Sequence, residues 1–213
     1  MALAEVDDSH PKLITFLSSL LQRVSESNDI IDSEFQPNKH GTSAFHGLSR
    51  PNISIHTYLQ RIFKYANCSP CCYVVAYVYL VRFTRRHPQL HINSYNVHRL
   101  LVTSVMVSAK FMDDRYYNNA YYAKVGGIST SEMNFLELDF LFGLGFHLNV
   151  SPTTFHTYCS HLHTQMINLH IPKLHFAEDD QPSLCAAKSA KIHLCFGADH
   201  QDESAHQKQQ LAV

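Results

Sequence analysis

The chain has no tryptophan and only seven glycines in 213 residues, which argues against loop-rich and β-propeller designs. An excess of charge of one sign is missing too. The 17 basic and 18 acidic residues leave a formal charge of -1, so no global field draws the protein onto nucleic acid or an anionic membrane, and neither is expected as a partner. No apolar signal segment opens the chain, and its six cysteines read as reduced thiols of an intracellular protein, nuclear or cytoplasmic. A phosphate loop, a nucleophile elbow and an H-E-x-x-H motif are all absent, so no catalytic constellation and no cofactor are expected. Gly143-Leu144-Gly145 lacks both a preceding strand and the third glycine of a dinucleotide fingerprint.

Sixteen histidines nearly equal the lysines and arginines together, but they are scattered, and His161 and His163 face apart on a helix. Cys68, Cys71 and Cys72 form a C-x-x-C-C cluster with no second pair at finger-like spacing. Cys71 and Cys72 are better explained as small apolar residues on the first turn of a helix. A metal or thiol enzyme built on these cysteines and nearby histidines is therefore not expected.

What is present is helical periodicity. The stretch from Asn93 to Asp114 carries Val97, Leu100, Leu101, Val102, Val105, Met106, Val107, Ala109, Phe111 and Met112, too dense an apolar set for one amphipathic stripe. A helix apolar on nearly all sides is a buried one, so this segment is expected to be the central rod, capped by Asn93 with Ile92 and Val97 as a hydrophobic staple. The expected fold class is all-α: a five-helix domain around a buried third helix, with flanking N- and C-terminal helices.

Residues 12–24 show one helical face, which packs on its own domain, pairs with another chain or lies on a membrane; the sparse basic face makes the membrane the poorest choice. Residues 25–52 read as a linker, with Phe45 and Leu48 as points at which it is pinned. Five helix signals follow between Ser54 and Gly145: a one-faced helix from Ile55 to Ala66, a helix opened by Ser69-Pro70, the central rod, NNAYYAKV ended by Gly126-Gly127, and a helix over 130–143. A strand is conceivable for CCYVVAYVYLVRF, but its length, cap and basic end favour a helix. The 130–143 helix starts on the capping box Ser129-x-x-Glu132 and is apolar on most sides, so it is expected to be buried like the rod. Ser151-Pro152 opens a further packing helix that stops at Pro172. The implied organisation is a helix and linker over 1–52, a core domain over 53–150, a packing helix over 151–171 and a disordered tail over 172–213, in which KIHLCF at 191–196 is the one segment able to dock.

Two charges sit in surroundings wrong for them. Lys110 lies between Ala109 and Phe111 near the end of the rod, and Glu137 lies between Leu136 and Leu138. One account is a cation favoured at a helix C-terminus and a carboxylate reaching to the surface. The other is that both heads converge at the rim of an apolar groove, neutralise each other and keep hydrogen-bonding capacity for an incoming backbone.

The succession SIHTYLQRIFKYANCSP, VVAYVYLVRF, NVHRLLVTSVMVSAKFMDD, NNAYYAKVGGIS and EMNFLELDFLFGLGFHL resembles a cyclin box, closest to the small single-box U-type or P-type cyclins of plants and the phosphate-regulation cyclins of fungi. The resemblance covers about residues 45–160. It implies a non-enzymatic regulatory subunit that binds the C helix of a cyclin-dependent serine/threonine kinase in a heterodimer and activates it, in cell division or nutrient signalling. The kinase would supply all the chemistry. By position, Lys110 and Glu137 match the residues that contact the kinase backbone, and Phe111, Met133, Leu136, Phe140 and Leu141 the apolar residues around them. Larger cyclins carry an aspartate where this chain has Val81, paired with an arginine of the first box helix, so that brace is absent. The tryptophan-bearing substrate-docking patch also has no counterpart. An adaptor with the same fold and no kinase is the alternative function.

Overall fold

A computed structural model of the chain describes residues 9–35 and 43–170. Its elements are seven α-helices, α1 (Ser9–Phe35), α2 (Ile55–Ala66), α3 (Cys71–Arg86), α4 (Val97–Met112), α5 (Asn119–Gly126), α6 (Thr130–Leu144) and α7 (Pro152–His170). The expected tail, including KIHLCF, lies outside the described residues.

Helix α4 packs against α2, α3, α5 and α6, and twelve of its sixteen residues are buried. The hydroxyls on this rod are satisfied within it: Thr103 donates to the Arg99 carbonyl (2.7 Å), Ser104 to Leu101 (3.0 Å) and Ser108 to Val105 (2.8 Å). Returning a hydroxyl to its own helix lets a polar residue occupy a core position without an orphaned donor. The rod begins three to four residues later than expected. Asn93 and Asn96 spend their side chains on a turn, in which Asn93 Oδ1 accepts from the Tyr95 N–H (3.1 Å), Asn96 Oδ1 accepts from the Asn93 N–H (2.9 Å) and Asn96 Nδ2 donates to the His91 carbonyl (2.7 Å). The helix opens where the Val97 N–H donates to the Asn93 carbonyl (3.1 Å).

The second fully buried helix is α3, not α6. Twelve residues of α3 are buried, including Val81, whereas α6 buries only Met133, Leu136, Phe140 and Leu144. Phe135, Leu138 and Phe142 of α6 are exposed at 62%, 54% and 69%. The apolar surplus that suggested burial is therefore a solvent-facing surface.

Helix α1 continues eleven residues past the expected end, through what read as linker. Its first half packs by Ile14, Leu17, Leu21 and Val24 against the domain, chiefly α2, which decides among the three readings of that face. Its second half is held by polar contacts to the loop before α4. Asn28 Nδ2 donates to the Ile92 carbonyl (2.9 Å), Asp29 accepts from the Ser94 N–H (3.1 Å), and Asp32 accepts from Asn93 Nδ2 (3.2 Å). Such a face leaves no apolar period to read.

Short caps set the remaining helices. Asn118 accepts from the Tyr121 N–H, and Ser129 from the Glu132 N–H; α5 and α6 end at Gly127 and Gly145 in left-handed conformations with φ of 73° and 60°. Only half the expected capping box forms, because Glu132 turns its carboxylate to Arg99 of α4. Helix α7 lies on α3, with Tyr158 edge-on to Tyr77 at 5.9 Å and Leu162 buried. Arg61, the arginine of α2, donates to the Lys124 carbonyl at the end of α5 (2.9 Å).

His98 is expected to make the fold sensitive to acid. It is 8% exposed on α4, with Nε2 on the Ile53 carbonyl at 2.9 Å and its ring 4.9 Å from that of Tyr58. Burial pulls its pKa below the usual histidine value, and the Ile53 carbonyl offsets this only in part. A depressed folded pKa means that stability is fully present above the unfolded value, about 6.5, and is lost as pH falls through the folded value. Urea titrations of wild type and His98→Gln at pH about 7.5 and about 5.5 are expected to show the larger acid-induced drop in the wild type.

Candidate functional site

The end of α4, the start of α5 and the middle of α6 meet at one surface point. Lys110 Nζ donates to Glu137 Oε1 at 2.6 Å, and the two side chains are 25% and 18% exposed. Asn119 completes the group: its Oδ1 accepts from Lys110 Nζ, while its Nδ2 donates to Glu137 Oε2 (2.7 Å) and to Asn134 Oδ1 (2.8 Å). The caps explain why Asn119 is free for this. Asn118 takes the helix-start role in α5, leaving the next asparagine to point across to α6.

Hydrogen-bonding capacity remains in the group. An ammonium carries three donors and a carboxylate about four acceptor positions, and two of each are occupied. The pair is held at a partly desolvated rim, so one charge without the other would be costly there. Exposed apolar side chains on the same two helices flank it: Phe111 at 47%, Met112 at 43% and Leu138 at 54%. Exposed apolar groups around a central charge pair are features common to protein-binding surfaces.

The seven residues singled out from the sequence separate into two sets. Lys110 and Glu137 come together and Phe111 lies exposed next to Lys110 in sequence. Leu141 is partly buried against the core. Met133, Leu136 and Phe140 are each 0% exposed and support α6 from beneath, a correction to their expected place on the contact surface. Helical geometry gives the reason: positions 133, 136, 140 and 144 form the inward stripe, which leaves 134, 137, 138 and 141 toward Lys110 and the outside. Asn119, Asn134 and Leu138 were missed. Adjacent asparagines at a helix start look like two candidate caps, and nothing local shows which one is spare.

Elsewhere, among the described residues no group of three or more His, Cys, Asp and Glu side chains is placed to hold a metal ion. Cys71, expected with Cys72 to act as a small apolar residue, is exposed, while Cys72 is buried. Asp113 accepts from the Ser69 N–H (2.8 Å) and hydroxyl (2.7 Å), tying the end of α4 to the start of α3.

An all-α domain wound about a buried helix, with a lysine–glutamate pair at its rim, has the architecture of a cyclin box. The cyclin family profile matches residues 11–148, which takes in most of α1 as well as the five box helices. The chain belongs to the cyclin family. It is 59% identical to Cyclin-U4-1 of Arabidopsis thaliana over 214 residues, covering 100% of both chains. It is 60% identical to Cyclin-U4-2 of the same plant over 157 residues, 74% of this chain and 72% of that one. With Cyclin-P4-1 of Oryza sativa subsp. japonica the identity is 52% over 189 residues, 85% of this chain and 89% of the other. Its relatives are thus plant U-type and P-type cyclins.

Proposed function

We propose that this cyclin binds a cyclin-dependent serine/threonine kinase through the Lys110–Asn119–Glu137 group and activates it. The observation that carries this reading is the convergence of Lys110 and Glu137, 27 residues apart, at 2.6 Å beside exposed apolar residues. The unused lysine donor and carboxylate lone pairs fit the carbonyls and N–H groups of a kinase loop, and Phe111 and Leu138 fit the apolar face of a kinase helix. Activation follows if that helix is held inward in the complex more firmly than in the free kinase, since a ligand shifts an equilibrium only by its differential affinity for the two states. The setting of this activity is the nucleus or cytoplasm.

The test is co-purification of the full chain with each of a panel of cyclin-dependent kinases, followed by phosphorylation of a histone-tail peptide by the eluate. A stable complex with stimulated phosphorylation is expected. Complex formation without stimulation would favour the adaptor role, and no complex with any kinase would overturn the reading.

A further inference from the structure

Asn134 is the outermost member of the group around Lys110, exposed on α6 one turn before Glu137. Which end of its amide faces outward is decided by Lys110 and Glu137, acting through Asn119. An ammonium can only donate, and a carboxylate can only accept. Lys110 Nζ therefore draws the Asn119 oxygen toward itself, and Glu137 Oε2 draws the Asn119 nitrogen, at 2.7 Å. Turning this amide over would set donor against donor and acceptor against acceptor. The second proton of Asn119 Nδ2 goes to Asn134 Oδ1 at 2.8 Å. With that oxygen committed, Asn134 has its nitrogen left over, and among the described residues no group accepts from it.

The two amides are not needed to start a helix or to close the ion pair. Asn118 caps α5, and Lys110 reaches Glu137 directly at 2.6 Å. What they add is a neutral donor of fixed polarity beside a charged one, since Lys110 also keeps one N–H unused. The charge of the helix narrows what can meet that donor. Helix α6 carries Glu132, Glu137 and Asp139 and no basic residue, so an incoming carboxylate is repelled where an uncharged carbonyl is not.

We propose that Asn134 is a specificity-determining contact for the kinase: its Nδ2 donates to a carbonyl oxygen of the bound kinase, and Asn119 is the positioning residue that holds the amide in that sense. This rests on the kinase reading above and adds to it one contact and its polarity. A kinase that places an N–H or a carboxylate opposite Asn134 is rejected, because the amide cannot turn over to meet it without losing its bond to Asn119. Selectivity then comes from the polar groups a wrong partner leaves unmatched.

Asn134→Asp tests the polarity, because it keeps an oxygen for Asn119 and replaces the outward donor by an acceptor in a side chain of the same shape. Full-length variants are titrated against a kinase that co-purifies with the wild type. Kd is expected to rise about tenfold or more for Asn134→Asp and about threefold to tenfold for Asn134→Ala. The thermal unfolding of the free proteins is expected to change little, as for other exposed substitutions. Side-chain amide resonances of the nitrogen-15-labelled cyclin give a readout that a merely structural role would not move. In the free protein the Asn119 protons are expected to exchange slowly and the Asn134 protons fast, and kinase is expected to slow the Asn134 pair. If Lys110→Glu loses the kinase while Asn134→Asp binds like the wild type, or if the Asn134 protons still exchange fast in the complex, this contact is overturned and the kinase reading stands. If neither substitution weakens the complex, or the wild type forms none, both fall.

Discussion

Lys110→Glu is expected to abolish kinase binding, with a loss of about 2–5 kcal/mol, or roughly thirtyfold to several thousandfold in Kd. Lys110 Nζ donates to both Glu137 and Asn119, so the change removes the one cation of the group and sets a second carboxylate against Glu137. It also replaces the spare donor by an acceptor that repels kinase carbonyls. The free fold loses stability as well, because Glu137, 18% exposed, is left without its cation and faces a second carboxylate. Titration calorimetry against the kinase and thermal unfolding of the free cyclin separate the two effects. Asn119→Ala is expected to lose about 1 kcal/mol of binding, since it leaves the ion pair in place and removes only its neutral bridge. If Lys110→Glu binds as tightly as the wild type, the kinase does not sit on this group, and Lys110 is then no more than a favourable charge at a helix end, worth about 0.3–1 kcal/mol of stability.

Sequence reading succeeded where one local period decided the outcome and failed where distant groups did. The buried α4 was legible because an all-round apolar helix of that length has few other places to go. The same inference misplaced α6. Composition reports that apolar surface will be covered, but it does not say whether the domain's own core or another chain covers it. Met133 and Phe135 lie two positions apart and are equally apolar, yet one is 0% and the other 62% exposed. The second half of α1 was illegible for a different reason. Asn28, Asp29 and Asp32 secure it through partners 61 to 65 residues away, and polar residues with helical spacing look the same as a solvated linker. The site was half visible: Lys110 and Glu137 stood out as charges in apolar runs, whereas Asn119 sits in a polar helix start and contrasts with nothing around it.

Phe45→Ala is expected to be the most damaging single truncation in the segment joining α1 to α2, at about 3–5 kcal/mol. Phe45 and Leu48 are both apolar residues of that segment, and by sequence either could anchor it. The structure separates them fully, with Phe45 at 0% and Leu48 at 105% exposure. The Phe45 ring stands edge-on to Phe83 of α3 at 5.3 Å and to Phe140 of α6 at 6.0 Å, while those two rings stack on each other at 4.8 Å. The side chain is thus a wedge that fixes the seam between α3 and α6. Alanine would open a cavity between two aromatic faces that cannot close it without moving whole helices, so the cavity cost adds to the lost transfer free energy. Aromatic pairs contribute about 0.5–1.5 kcal/mol beyond their buried area, and two are lost. Against a total of about 5–15 kcal/mol for an ordinary domain, this loss would leave a large part of the protein unfolded on mild heating. Leu48→Ala is expected to change stability by no more than about 0.5 kcal/mol. Denaturant titration of both variants checks the contrast. Equal losses, or a Phe45→Ala loss below about 1 kcal/mol, would show that the segment does not hold the α3–α6 seam.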